Sequence, residues 1–139
     1  MINPSLILKK TVFIRDHIAR VRSQKDCTLI EFLSDRNRQD IVCFNLLQAI
    51  QGCADLANHL VSDQGWGIPG SYGESVETLV KEKVITPEQG ETYRQMIAFR
   101  NRLAHEYAAT DFKEVYEIMT TRLDDLDDFV ETMVAYCHL

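Results

Sequence analysis

The strongest helical pattern in the sequence lies in residues 111–137, DFKEVYEIMTTRLDDLDDFVETMVAYC. Apolar side chains recur in this stretch every three or four residues, which is the spacing of one face of an α-helix. The repeat continues for more than three heptads and predicts one helix about 40 Å long. A helix with a single apolar stripe must bury that stripe against other helices. The stripe comprises Phe112, Val115, Met119, Leu123, Leu126, Val130, Met133 and Cys137.

Helix-start signals recur before this stretch, whereas alternating strand patterns do not. Asn3-Pro4 and Thr86-Pro87 each supply a capping side chain and an N1 proline, which predicts helices from Pro4 to about Gln24 and from Pro87 to about Glu106. Ser34-Asp35 begins a long helix that we expect to end near Asp63. The capping pairs Thr28/Glu31 and Ser71/Glu74 predict a short turn and a short third helix.

The predicted fold is therefore all-α: an antiparallel up-and-down four-helix bundle with an additional short helix. Residues 1–139 are expected to form a single domain, because 139 residues fall within the usual size range of one domain. Gly65, Gly67, Gly70 and Gly73 cluster around Pro69, and we interpret that segment as a corner and not as a linker.

Composition excludes several classes of function. The formal net charge of −6 argues against broad adhesion to nucleic acid or to anionic membranes. The longest uncharged stretch, residues 41–54, is too short and too polar to span a membrane, and no signal peptide is recognisable. The four cysteines show no metal-binding spacing, so we expect reduced thiols in the cytoplasm and no metal site.

One segment departs from the acidic character of the chain. Residues 94–105 contain three arginines and no carboxylate. Helical spacing also places Arg100 within an apolar stripe, where a guanidinium needs an acid, an interface or a bound anion. The stripe is formed by Tyr93, Met96, Arg100, Leu103 and Tyr107.

Arg100 and His105 lie about 140° apart around an ideal helix. They could act on one ligand if Arg100 reaches around, if the helix loosens near Tyr107, or if a symmetric dimer supplies opposing groups. Such a cleft suits metal-free RNA cleavage. A neutral imidazole accepts the 2′-hydroxyl proton, an acid protonates the leaving 5′-oxygen, and guanidinium groups stabilise the phosphorane. Taken alone, however, the pair is more often a paired surface arginine and a helix-end histidine.

The segment Phe99-Arg100-Asn101-Arg102-Leu103-Ala104-His105-Glu106-Tyr107 resembles the signature of HepT-like proteins in the HEPN superfamily: arginine, four residues, histidine, one residue, tyrosine. Asn45–Ile50, Gly67–Tyr72 and Val115-Tyr116 also resemble that family, so the resemblance extends from about Asp35 to the C-terminus.

The resemblance implies a HEPN-like bundle toxin that acts as a metal-independent ribonuclease. It implies Arg100 and His105 as the catalytic pair, with Asn101 and Arg102 as possible assisting residues. It also implies a homodimer or higher even oligomer and a minimal nucleotidyltransferase antitoxin. The antitoxin would use ATP to adenylylate Tyr107, whereas the chain itself would need no cofactor.

Two other functions remain open. The chain could be a non-catalytic helical module that binds a nucleotidyltransferase, or it could bind a nucleotide in the same cleft. Cleavage of RNA that depends on His105 would separate the ribonuclease from both alternatives.

Overall fold

The computed structural model describes residues 2–139. Seven α-helices form an all-helical bundle, and no strand occurs in this part of the chain, so the predicted fold class is confirmed. The helices are α1 (Pro4–Arg22), α2 (Leu29–Leu33), α3 (Arg36–Asp63), α4 (Tyr72–Lys81), α5 (Pro87–His105), α6 (Phe112–Thr121) and α7 (Leu123–Tyr136).

The predicted helix starts coincide with capping hydrogen bonds. The side chains of Asn3, Asp35 and Ser71 each accept a backbone N–H of the first turn that follows. Thr28 and Thr86 form complete capping boxes with Glu31 and Gln89, at the starts of α2 and α5. Local sequence therefore fixes where most of the helices begin.

Helix α3 lies at the centre and contacts α1, α4, α5, α6 and α7. Its apolar residues at spacings of three and four are all buried: Cys43, Leu46, Ile50, Cys53, Ala57 and Leu60. Arg22, at the end of α1, forms ion pairs with Asp124 and Asp127 of α7 and so joins the first and last helices. No helix within residues 2–139 is long and apolar enough to cross a membrane.

One prediction about the helices was wrong. The last helix is not continuous, because it breaks at Arg122, which has φ −121° and ψ 0° and separates α6 from α7. The apolar spacing continues across the break, since Met119, Leu123 and Leu126 are all buried. The apolar residues of two successive helices therefore give the same sequence pattern as those of one continuous helix. Helix α5 ends at His105, within one residue of its predicted end, and residues 107–109 form a short 3₁₀ turn.

The predicted place of Arg100 in the apolar stripe was also wrong. Phe99 fits the same spacing between Met96 and Leu103, and it is Phe99 that enters the core, with 4% of its surface exposed. Arg100 lies beside the stripe and is half-buried. Phe99 is the buried residue because an apolar side chain, unlike a guanidinium, needs no charged partner when it is buried.

Candidate functional site

The basic segment, residues 94–105, occupies the second half of α5, and the motif continues from it to Tyr107 in the 3₁₀ turn that follows. His105 is the last residue of α5, and its exposed imidazole makes no hydrogen bond or ion pair within residues 2–139. The ring is therefore free to meet a ligand. Tyr107 lies outside the helix, since Glu106 already leaves helical geometry with φ −134° and ψ 45°.

Arg100 has an unusual electrostatic environment. Arg100 and Arg15 are the two arginines in the described chain that form no ion pair. Arg15 is exposed, whereas the Nε atom of Arg100 is buried without a hydrogen-bond partner within residues 2–139. A buried donor of a charged group is costly to leave unpaired, which favours an anionic ligand at this position.

Asn101 and Arg102 differ in their relation to Arg100. Arg100 Nη1 donates a hydrogen bond to Asn101 Oδ1 at 3.1 Å, so Asn101 can orient the guanidinium. Arg102 is held elsewhere, because its Nη2 atom lies 3.1 Å from both carboxylate oxygens of Glu114. Its guanidinium also lies 5.9 Å from the centre of the Phe99 ring. The structure thus places Asn101 with Arg100 but directs Arg102 towards α6.

Arg100 acts on a polar network at the junction of α3 and α4. Tyr72 Oη donates to Asp55 Oδ1 at 2.9 Å and accepts from Gln51 Nε2 at 2.6 Å. Burial and the bond to Asp55 raise the pKa of Tyr72, while the positive charge of Arg100 partly offsets that rise. Arg100 therefore lies near enough to this network for its positive charge to act on Tyr72.

Tyr107 extends into a separate open groove between α3 and the end of α5. Its phenol donates a short hydrogen bond to Asp40 Oδ1, and its ring meets Phe112 edge to face at a centroid distance of 6.3 Å. Burial, followed by the bond to Asp40, raises the pKa of Tyr107. The groove is lined by Arg36, Asp40, Cys43, Phe44, Leu47, Leu103, Ala104 and Tyr107.

The structure therefore does not bring all the predicted site residues together. No hydrogen bond joins the side chains of Arg100 and His105, and Tyr107 faces a different groove. Asp40 and Glu114 are contacts that sequence reasoning missed. Asp40 is 67 residues from its tyrosine, so local spacing carried no signal for the pair.

No group of three His, Cys, Asp or Glu side chains in residues 2–139 is arranged to hold a metal ion. Cys43 and Cys53 are buried thiols, and burial raises the pKa of both, to about 12 for Cys43.

Comparison with known proteins identifies relatives that cover nearly the whole chain. An mRNA nuclease HepT from Shewanella oneidensis is 28% identical over 130 residues, which are 94% of this chain and 97% of that protein. A tRNA nuclease HepT from Aphanizomenon flos-aquae is 26% identical over 136 residues, which are 97% of this chain and 92% of that protein.

A solved structure with the same fold is the tri-AMPylated HEPN toxin of Shewanella oneidensis in complex with MNT antitoxin. It matches with a TM-score of 0.87 and 28% identity over 96% of this chain and 99% of that one. The family model described as Ribonuclease HepT-like matches residues 14–133, which confirms the resemblance seen in the sequence. The chain belongs to the HepT-like ribonuclease family.

Proposed function

We propose that this chain is the ribonuclease toxin of a toxin–antitoxin pair, with Arg100 and His105 as its catalytic residues. The observation that carries the proposal is the half-buried Arg100, whose charge no acid neutralises and whose Nε atom has no partner in the described chain. A guanidinium left in this state is preorganised for a phosphate group, which it can meet with two parallel hydrogen bonds.

In the proposed reaction, His105 accepts the proton of a ribose 2′-hydroxyl, and the 2′-oxygen attacks the adjacent phosphorus. The bond from phosphorus to the 5′-oxygen breaks, and a protonated imidazole donates a proton to that leaving oxygen. Arg100 stabilises the negative charge that develops on the phosphorane. Asn101 assists by holding the guanidinium, and these groups act without a metal ion.

The separation of Arg100 and His105 supports a homodimer or higher even oligomer as the active form. In one chain no hydrogen bond joins the two side chains, and the motif contains one histidine to serve as both base and acid. A two-fold axis beside α5 would supply a second copy of each. Light scattering on the purified chain tests this directly, and a monomer that cleaves RNA would contradict it.

The partner that we propose is a minimal nucleotidyltransferase that adenylylates Tyr107, by analogy with the AMPylated toxin–antitoxin complex described above. Adenylylation adds a negative phosphodiester and a bulky nucleoside beside the segment, which opposes the approach of RNA. ATP is then a substrate of the partner and not a cofactor of this chain, and both proteins act in the cytoplasm. Arg102 retains an assisting role only if RNA displaces Glu114.

The decisive experiment compares purified wild type with Arg100→Ala and His105→Ala in a cleavage assay on total RNA. Loss of the base or of the phosphate-stabilising group should slow cleavage roughly a hundredfold or more. Arg94→Ala is the matched control, since Arg94 lies on the same helix but is paired with Glu91 at 3.5 Å. The control should cleave like wild type.

If all four proteins leave RNA intact while the chain still copurifies with a nucleotidyltransferase, the chain is a binding module. Cleavage that persists without His105 would refute the catalytic assignment. Growth inhibition on expression gives a second readout, which should be lost with His105→Ala and kept with Arg94→Ala.

A further inference from the structure

The groove that receives Tyr107 brings together three residues of α3 and the tyrosine. Arg36 and Asp40 form an ion pair one helical turn apart, with Arg36 Nε 3.5 Å from Asp40 Oδ1. Tyr107 donates its phenolic hydrogen to the same carboxylate oxygen. The charged and titratable side chains that line this groove are Arg36, Asp40, Cys43 and Tyr107.

Tyr107 is a poor nucleophile in its resting state. Burial and the neighbouring carboxylate both raise the pKa of Tyr107 above that of free tyrosine, so the phenol stays protonated near pH 7. A protonated phenol that attacks an electrophile must transfer its proton to a base as the new bond forms. Asp40 already accepts the hydrogen bond from that proton.

We propose that Asp40 is the proton acceptor for modification of Tyr107, an inference that rests on the function proposed above. Tyr107 Oη attacks the α-phosphorus of a nucleoside triphosphate, and the bond from that phosphorus to the pyrophosphate oxygen breaks. The phenolic proton moves to Asp40 Oδ1, and pyrophosphate leaves. The toxin thus supplies the base for its own modification.

Arg36 is the positively charged side chain paired with Asp40 in this groove. Its Nε atom lies 3.5 Å from Asp40 Oδ1, the oxygen that would receive the proton. The side chain of Arg36 is 77% exposed, so it can turn towards the groove without disturbing the core. After transfer, Asp40 is neutralised by the acquired proton, and Arg36 becomes available for the new phosphodiester.

The competing role for Asp40 is purely structural, in which it anchors the tyrosine and takes no proton. The two roles differ in how the modification rate responds to pH. Without a base, the reaction needs a phenolate formed in solvent, and the rate rises about tenfold per pH unit below the phenol pKa. With Asp40 as base, the rate is nearly flat between pH 7 and pH 9.

The test measures incorporation of labelled AMP from Mg-ATP by the nucleotidyltransferase partner proposed above, with ATP and enzyme saturating. Asp40→Asn should slow incorporation at pH 7 by roughly a hundredfold and give the steep pH dependence. Asp40→Glu should recover part of the rate and the flat profile. Asp16→Asn is the matched control, because Asp16 forms the same i,i+4 pair with Arg20 at 3.5 Å but has no hydrogen bond to a tyrosine.

The outcomes separate this inference from the function on which it rests. If wild type is labelled, Tyr107→Phe is not, and Asp40→Asn is labelled at the wild-type rate, then the role of Asp40 is refuted while the modification stands. A slow Asp40→Asn with a flat pH profile also refutes the proton-acceptor role and leaves an anchor. If Tyr107→Phe is labelled like wild type, the modification site is wrong and the inference fails with it.

Discussion

Replacing Gly52 by alanine should destabilise the bundle, although alanine is the better helix former. Gly52 is buried in α3 where that helix crosses α1. A Cβ atom at this position would lie 2.7 Å from Ile14 Cγ1 and 3.4 Å from Phe13 Cδ1. The first distance is about 1 Å shorter than a normal carbon–carbon contact.

The magnitude follows from two opposing contributions. Gly to Ala inside a helix favours folding by about 1 kcal/mol, whereas forcing an extra methyl group into a packed core costs about 1–3 kcal/mol. Ile14 is fully buried and β-branched, so it has almost no rotamer freedom with which to move aside. The cost therefore lies in the upper part of that range, and the net loss should be about 1–2 kcal/mol.

Urea unfolding followed by circular dichroism measures this loss as a lower transition midpoint with an unchanged slope. Gly73→Ala is the control, since its Cβ atom would meet only Ser71 Oγ, at 3.7 Å, and stability should be unchanged or slightly higher. In an Ile14→Ala background the penalty of Gly52→Ala should disappear. A Gly52→Ala protein as stable as wild type would refute close packing at this crossing.

Two further predictions concern thiols and pH, alongside those made for His105, Arg100 and Asp40. Cys43 and Cys53 are buried and have raised pKa values, so a disulfide reagent at pH 8 should modify the half-buried Cys27 and Cys137 first and reach the other two only in denaturant. Mass spectrometry identifies the modified cysteines. Rapid modification of Cys53 in the native protein would contradict the packing. Hydrogen bonds from the backbone and side chain of Thr28 lower the pKa of Glu31, so the contribution of Glu31 to stability is present above pH 4.5 and is lost as the pH falls through the lowered pKa. The difference in unfolding free energy between wild type and Glu31→Ala should therefore shrink on acidification. A difference that grows would refute the assignment.

The parts of the fold that the sequence predicted are those set by local chemistry. Capping side chains such as Asp35 and Thr86 marked helix starts, because a capping bond spans only two or three residues. The break at Arg122 carried no such mark, since neither a proline nor a side-chain cap accompanies it. Apolar spacing misplaced Arg100 because Phe99 satisfies the same period.

The candidate site could also be predicted only in part. The Arg100 to Tyr107 motif is contiguous and could be recognised from its residues alone. The hydrogen-bond partners of those residues come from distant segments of the chain: Asp40 bonds Tyr107, and Glu114 bonds Arg102. Such contacts depend on how helices pack, which spacing along the chain does not encode.

The position of Tyr107 in a 3₁₀ turn has a consequence for how fast an enzyme can reach it. The phenol is held by one hydrogen bond and one edge-to-face ring contact, and 36% of the residue surface is already exposed. An enzyme can therefore reach the phenol where it lies, beside Asp40, whereas Tyr93, buried against Phe129 in the core, becomes accessible only when the bundle opens. Access to Tyr107 therefore does not depend on global unfolding, so the rate at which an enzyme modifies Tyr107 should not depend on the free energy of unfolding of the bundle.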